Sequence, residues 1–207
     1  YMDSPHKVIY FNVRFVMSDD PSQESRRGTY YTNFFNDVNP ENKLRYQSQV
    51  PWGKMIRRSF LSTFHIQFDE TRIANDVYFS CLVGIYAPKV TTDRRIIYYC
   101  TESDQSLAMS KQDRESLIIR FNASMKCNRL LRQEKIHYYL SPLPWCIPSA
   151  KIKEWLPAKY FFEYLFFFRL QAFKELYYAF SAILSHMNEP ATKETDKCNK
   201  KTTNLKE

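Results

Sequence analysis

Glycine is nearly missing from this chain. Only Gly28, Gly53 and Gly84 occur in 207 residues. That excludes a glycine-rich phosphate loop and a dinucleotide-binding turn, which need several glycines within one short loop. No GxSxG elbow is present, so a hydrolase nucleophile of that type is excluded too. The four histidines, His6, His65, His137 and His186, have no partner at HxxxH or HExxH spacing, which leaves a zinc-dependent enzyme without support. The five cysteines, Cys81, Cys100, Cys127, Cys146 and Cys198, are far apart, odd in number and form no CxxC pair. This argues against a zinc site and a secreted disulfide framework, and for reduced thiols in a cytoplasmic or nuclear protein. A signal peptide is also lacking, because the opening apolar run is short, alternates, and is interrupted by Asn12 and Arg14. The first residue is Tyr1, not Met, which leads to the expectation of a fragment or a processed product.

What is present is apolar alternation. Ile9, Phe11, Val13 and Phe15 share one strand face, opposite Asn12 and Arg14. The same period recurs at Phe60–Phe68, Val77–Ile85, Leu117–Met125 and Ile136–Leu140. The stretch around Ile96–Cys100 is apolar on both faces and is expected to be a central strand, and Tyr30–Phe35 adds a further aromatic run. Ser18–Pro21, Asn39–Asn42 and Thr91–Asp93 supply turn signals, and Leu107–Arg114 reads as one or two turns of helix. Strands joined by turns without intervening helices predict an antiparallel arrangement. The expected fold is therefore α+β: an antiparallel β-barrel or bent sheet of about six or seven strands, closed by one long C-terminal helix.

The expected domain spans 1–187. Prolines 142, 144, 148 and 157 make 141–157 a stiff Pro/Trp connector. Helix follows over 158–187, and 188–207, mixed in charge and without periodicity, reads as a disordered tail. Twelve aromatics lie between Trp155 and Phe180, more than a solitary helix carries in water. A helical projection puts Phe161, Phe162, Leu165, Phe166, Ala172, Phe173, Leu176, Ala179 and Phe180 on one inward half. It leaves Tyr160, Phe167 and Tyr178 among Lys174, Gln171 and Ser185 on the other. Glu163, Arg169, Lys174, Glu175 and His186 within the helix argue against a membrane span, since a charge at a helix centre costs about 2.5–3.5 kcal/mol on insertion scales.

Two binding readings follow. The surplus aromatics Tyr160, Phe167 and Tyr178 predict a protein partner on the helix, as aromatic side chains dominate interface hot spots. The chain is then a non-enzymatic interaction module, a subunit or adaptor of a larger complex, with no cofactor. The alternative rests on the net charge of +8 and the doublets Arg26-Arg27, Arg57-Arg58 and Arg94-Arg95, each flanking an aromatic strand. Barrels that bind single-stranded nucleic acid combine cations for the phosphates with rings for the bases. No catalytic residue emerges: nothing near Cys146 in Pro144–Pro148 lowers a thiol pKa, and Asp19-Asp20 and Asp69-Glu70 read as turn chemistry.

Tyr10–Pro21 (YFNVRFVMSDDP), followed by Thr29–Val38, resembles the start of the second lobe of FERM domains. The likeness covers fewer than thirty residues. The chain beyond it reads as strands where that lobe is helical, so neither fold nor function is carried over.

Overall fold

The alternation of Val8–Met17 does form a strand, β1, and it becomes the centre of the only sheet among the described residues. The computed structural model describes residues 3–25, 28–103, 113–146 and 156–187, with the backbone alone described at 29, 30, 170, 179, 180 and 182–187. In chain order, β1 is followed by α1 (Gly28–Phe35), α2 (Pro40–Gln47), β2 (Lys54–Ile56), α3 (Arg58–Thr63), α4 (Asn75–Tyr86) and β3 (Val90–Glu102). Then come α5 (Arg114–Gln133), α6 (Leu143–Cys146), α7 (Ala158–Phe168) and α8 (Leu170–Met187). The expected tail at 188–207, the connector's interior at 147–155, Arg26-Arg27 and most of the short helix expected at Leu107–Arg114 lie outside the described residues.

The predicted antiparallel barrel is overturned. The fold is α+β, but its sheet is a single open one of three strands in the order β2-β1-β3, with eight helices among the described residues. β1 pairs antiparallel with β2, Val8 opposite Ile56, and parallel with β3, Val8 opposite Val90 and Met17 opposite Glu102. The ladder slips beside Asn12, where β3 carries extra residues: Phe11 faces Asp93 but Asn12 faces Ile96. The slip resets the pleat. Val8 and Tyr10, then Val13 and Phe15, reach the same core, whereas unbroken alternation would group Ile9, Phe11, Val13 and Phe15.

Val77–Ile85, Leu117–Met125 and Tyr30–Phe35 are helical, and Phe60–Phe68 is helical only to Thr63. Ile96–Cys100 lies on the edge strand β3, not on a central one. The helix α4 shows why alternation misleads. Val77 and Cys81 pack with Ala123, Cys127 and Leu131 of α5. Phe79 and Val83 pack instead with β1 and α1. Each pair has the i,i+4 spacing of one helix face, and residues 77 and 79 are about 200° apart at 3.6 residues per turn. A helix buried on two opposite sides therefore mimics period two. α5 similarly buries Leu117, Phe121, Ser124, Asn128 and Leu131 along one stripe, and α1 buries Tyr31, Phe34 and Phe35. The Ile136–Leu140 run forms no strand. Its backbone is held by the buried Asn128, whose amide nitrogen donates to the Leu140 carbonyl at 2.8 Å and whose Oδ1 accepts from the Leu140 N–H at 2.8 Å.

Local capping fixes the helix starts. Asn39 Oδ1 accepts from the Asn42 N–H at 3.2 Å, and Pro40 occupies the first turn of α2, so a sequence turn signal is a helix start. Asp113 Oδ1 accepts from the Ser116 N–H at 2.7 Å at the start of α5. Bonds to Ser116, with Arg72 beside it, hold the Asp113 carboxyl down to about 2.

Contacts divide the chain into two compact units, one ending at Phe161 and the other beginning at Phe162. The first contains the sheet and the core built on it.

Candidate functional site

The expected long helix is two helices. Arg169 adopts φ +46 between α7 and α8, while its N–H still donates to the Leu165 carbonyl at 2.8 Å. A left-handed residue resets the helical phase, so a single 100° projection cannot be carried through 158–187. Phe162, Phe166 and Phe173, placed inward by that projection, are 65%, 78% and 67% exposed. Tyr177 and Tyr178 are exposed as well. On α8, Phe173, Lys174, Tyr177, Tyr178 and Ser181 are all exposed at i, i+1, i+4, i+5 and i+8 spacing, which is one continuous face. On α7 the exposed pair Phe162 and Phe166 is one turn apart.

The opposite side of this second unit is packed. Tyr164 is fully buried, its ring 5.3 Å from that of Phe168, and its hydroxyl donates to Glu175 Oε2 at 3.1 Å. Ala172 is also buried. The charges among the exposed aromatics are cations: Arg169, whose guanidinium lies 5.9 Å from the Phe166 ring centroid, and Lys174. Such a surface offers aromatic faces and positive charge together.

Of the residues nominated from sequence, Tyr178 lies on the exposed face, its ring 5.8 Å from Tyr177 and edge-on to it. Phe167 is half-buried and edge-on to Phe168. Tyr160, in the first unit, is half-buried, edge-on to Phe121 at 5.2 Å and under the Lys159 ammonium. Sequence reasoning missed Phe162, Phe166, Phe173 and Tyr177 as exposed, because nothing local announces the left-handed Arg169.

The two arginine doublets among the described residues do not converge. Arg57 and Arg58 follow β2, and Arg94 and Arg95 lie in the slipped region of β3, on opposite edges of the sheet. Arg57 donates to the Ser4 carbonyl at 2.8 Å and Arg94 to the Phe35 carbonyl at 2.7 Å. Arg95 forks onto Asp93, with its closest approach 2.6 Å. Arg26 and Arg27 are outside the described residues.

Chemistry of the remaining groups is quiet. Among the described residues no three His, Cys, Asp or Glu side chains gather to hold a metal ion. Burial pushes the Cys146 thiol up to about 12. Cys81 and Cys127 are buried thiols in contact, and the bond from Cys81 together with burial raises Cys127. Burial lowers the Arg120 guanidinium, and it drives Lys54 toward neutrality. Its ammonium is enclosed over the Tyr10 ring and donates to the Ser48 carbonyl at 3.0 Å, and desolvation lowers it to about 7 against the pull of Asp76. Among the described residues no helix is long and apolar enough to cross a membrane. Set against protein-family models, curated proteins and solved structures, the chain matches none.

Proposed function

We propose that the chain is a non-enzymatic interaction module, a subunit or adaptor of a larger cytoplasmic or nuclear complex. The observation that carries this reading is the exposed aromatic face of α7 and α8: Phe162, Phe166, Phe173, Tyr177 and Tyr178. Scattered apolar residues on a surface need no explanation, but two exposed rings one turn apart on α7 and three on one face of α8 are aromatic surface of the kind that interfaces cover. With Arg169 and Lys174 as its charges, the face suits a protein groove that is apolar at its centre and acidic at its rim. The unbonded Cys81–Cys127 pair supports a reducing compartment. The nucleic-acid alternative loses its motive, since the described doublets lie on opposite edges and three of their four arginines are engaged by backbone carbonyls or Asp93.

The test is Phe166→Ser combined with Phe173→Ser. Co-purification of the tagged chain from cells, read by mass spectrometry, should lose its stoichiometric partner by about tenfold or more, since hot-spot losses reach 2 kcal/mol each. Melting should be unchanged. A large fall in melting temperature would make the rings core residues and sink the interface reading.

A further inference from the structure

A cavity of about 620 Å³ opens in the first unit, where β1, α1, the α2–β2 connection and the chain after α5 meet. Its walls are aromatic. Trp52 meets Phe15 edge-on at 5.5 Å and Tyr31 at 5.2 Å. Tyr98 stacks against Trp52 with planes 3° apart, so the indole is fixed in place before any ligand arrives. Trp145 closes another side, and the Arg120 guanidinium stands 5.1 Å from its ring centroid. The volume lies within the range of small-molecule sites, roughly 300–1,000 Å³.

None of the thirteen lining residues carries a charge, although the chain as a whole is at +8. A cation entering this space would lose its hydration with no carboxylate on the wall to replace it. An anion would meet no cation on the lining itself, since Lys54 and Arg120 stand behind Ser48 and Trp145. The wall is not apolar either. Gln47 uses its amide nitrogen on the Tyr139 carbonyl at 3.0 Å, which leaves its Oε1 without a hydrogen bond among the described residues. The Gln49 carboxamide has none. A purely apolar occupant would displace water from these groups and return nothing. A flat ring with donors and acceptors on its edge answers both demands: its faces stack on the aromatic walls and its edge meets the carboxamides. Glutamine pairs with the adenine edge for this reason, presenting one donor and one acceptor side by side.

We propose that this cavity binds an uncharged heteroaromatic ring with an amide-like edge, of the purine class, as a free nucleoside or as one base of a strand. It is independent of the helical face of the second unit and stands whether or not that face has a partner.

The test titrates the intact chain with adenosine, with toluene and with a short oligoadenylate, following fluorescence of Trp52 and Trp145 and the heat of binding. Saturable binding of adenosine, stronger than that of toluene, is expected. Gln49→Leu should weaken it about tenfold, the loss of one good hydrogen bond, with circular dichroism unchanged. Gln49→Asn, which keeps the carboxamide, should retain more affinity than Gln49→Leu. Oligoadenylate binding that also falls in Gln49→Leu assigns the base to a strand, whereas adenosine binding alone assigns it to a nucleoside. No saturable signal at millimolar adenosine, toluene binding as well as adenosine, or Gln49→Leu binding like the wild type would each overturn the assignment.

Discussion

Gly84 shows how one residue sets the sign of a substitution. Within a helix, glycine is worse than alanine by about 0.8–1.0 kcal/mol, so alanine would ordinarily stabilise α4. Here a Cβ at Gly84 would stand 1.9 Å from the backbone oxygen of Arg45. Neither helix backbone can yield cheaply, and α2 would have to move away from α4. Arg45 depends on that closeness, since its guanidinium reaches the carbonyls of Gly84, Ile85 and Ala87 at the end of α4, where a cation complements the helix dipole. Gly84→Ala is therefore expected to destabilise by about 1–3 kcal/mol or more, as overpacking does. Urea denaturation checks it, and a raised midpoint would refute the close approach. Glycine's scarcity could be read from the sequence, but the reason for keeping it at this position could not, because Arg45 is 39 positions away.

At the scale of elements, the decisive feature is the left-handed Arg169 between α7 and α8. A residue with a Cβ in that conformation carries roughly 1 kcal/mol of strain that glycine avoids. Arg169→Gly should leave melting unchanged or raise it slightly, while Arg169→Val, β-branched, should lower it. Equal effects of the two would argue for a continuous helix. The misread strands belong to this scale too. Periodicity identifies a helix when one side is wet. α4 is buried on two opposite sides, so its apolar positions repeat every second residue and imitate a strand. β1 was legible because its apolar residues alternate with Asn12 and Arg14, although the pleat reset at Asn12 was not. Of the candidate interface, the aromatic excess was legible and the identity of the outward rings was not, since each ring's direction depends on helical phase.

For the whole molecule, stability should depend on pH through the enclosed Lys54. Its surroundings are the Tyr10 ring, the Ser48 carbonyl, Asp76 and Cys81, and burial also raises the Asp76 carboxyl. Native Lys54 releases its proton near 7, whereas an unfolded lysine keeps it to about 10.4. Between those values the unfolded state binds more protons, so unfolding free energy rises with pH. Below pH 7 the full cost of the enclosed ammonium applies. Above about pH 8.5 the slope is opposed, because burial raises the Cys127 and Cys146 thiols and, at still higher pH, the Tyr10 and Tyr31 phenols, so that the unfolded chain ionises first. Urea midpoints should climb from pH 7 to 8 in the wild type and stay nearly flat over that range in Lys54→Met. An equal climb in both would remove Lys54 as the cause.

The sequence by itself determined composition-level facts: too little glycine for a phosphate loop, no metal-ligand spacing, a strand through Ile9–Phe15, and an aromatic excess near the end. Those depend only on local covalent chemistry and on counts. The tertiary structure decided what those residues face. It turned alternating segments into doubly buried helices, sent the two described arginine doublets to opposite sheet edges, gathered uncharged residues from four stretches into one cavity, and turned Phe162, Phe166 and Phe173 outward. The physical reason is common to all four. Burial is a property of partners distant in the chain, and hydrophobic free energy rewards the contact without regard to the period that encodes it.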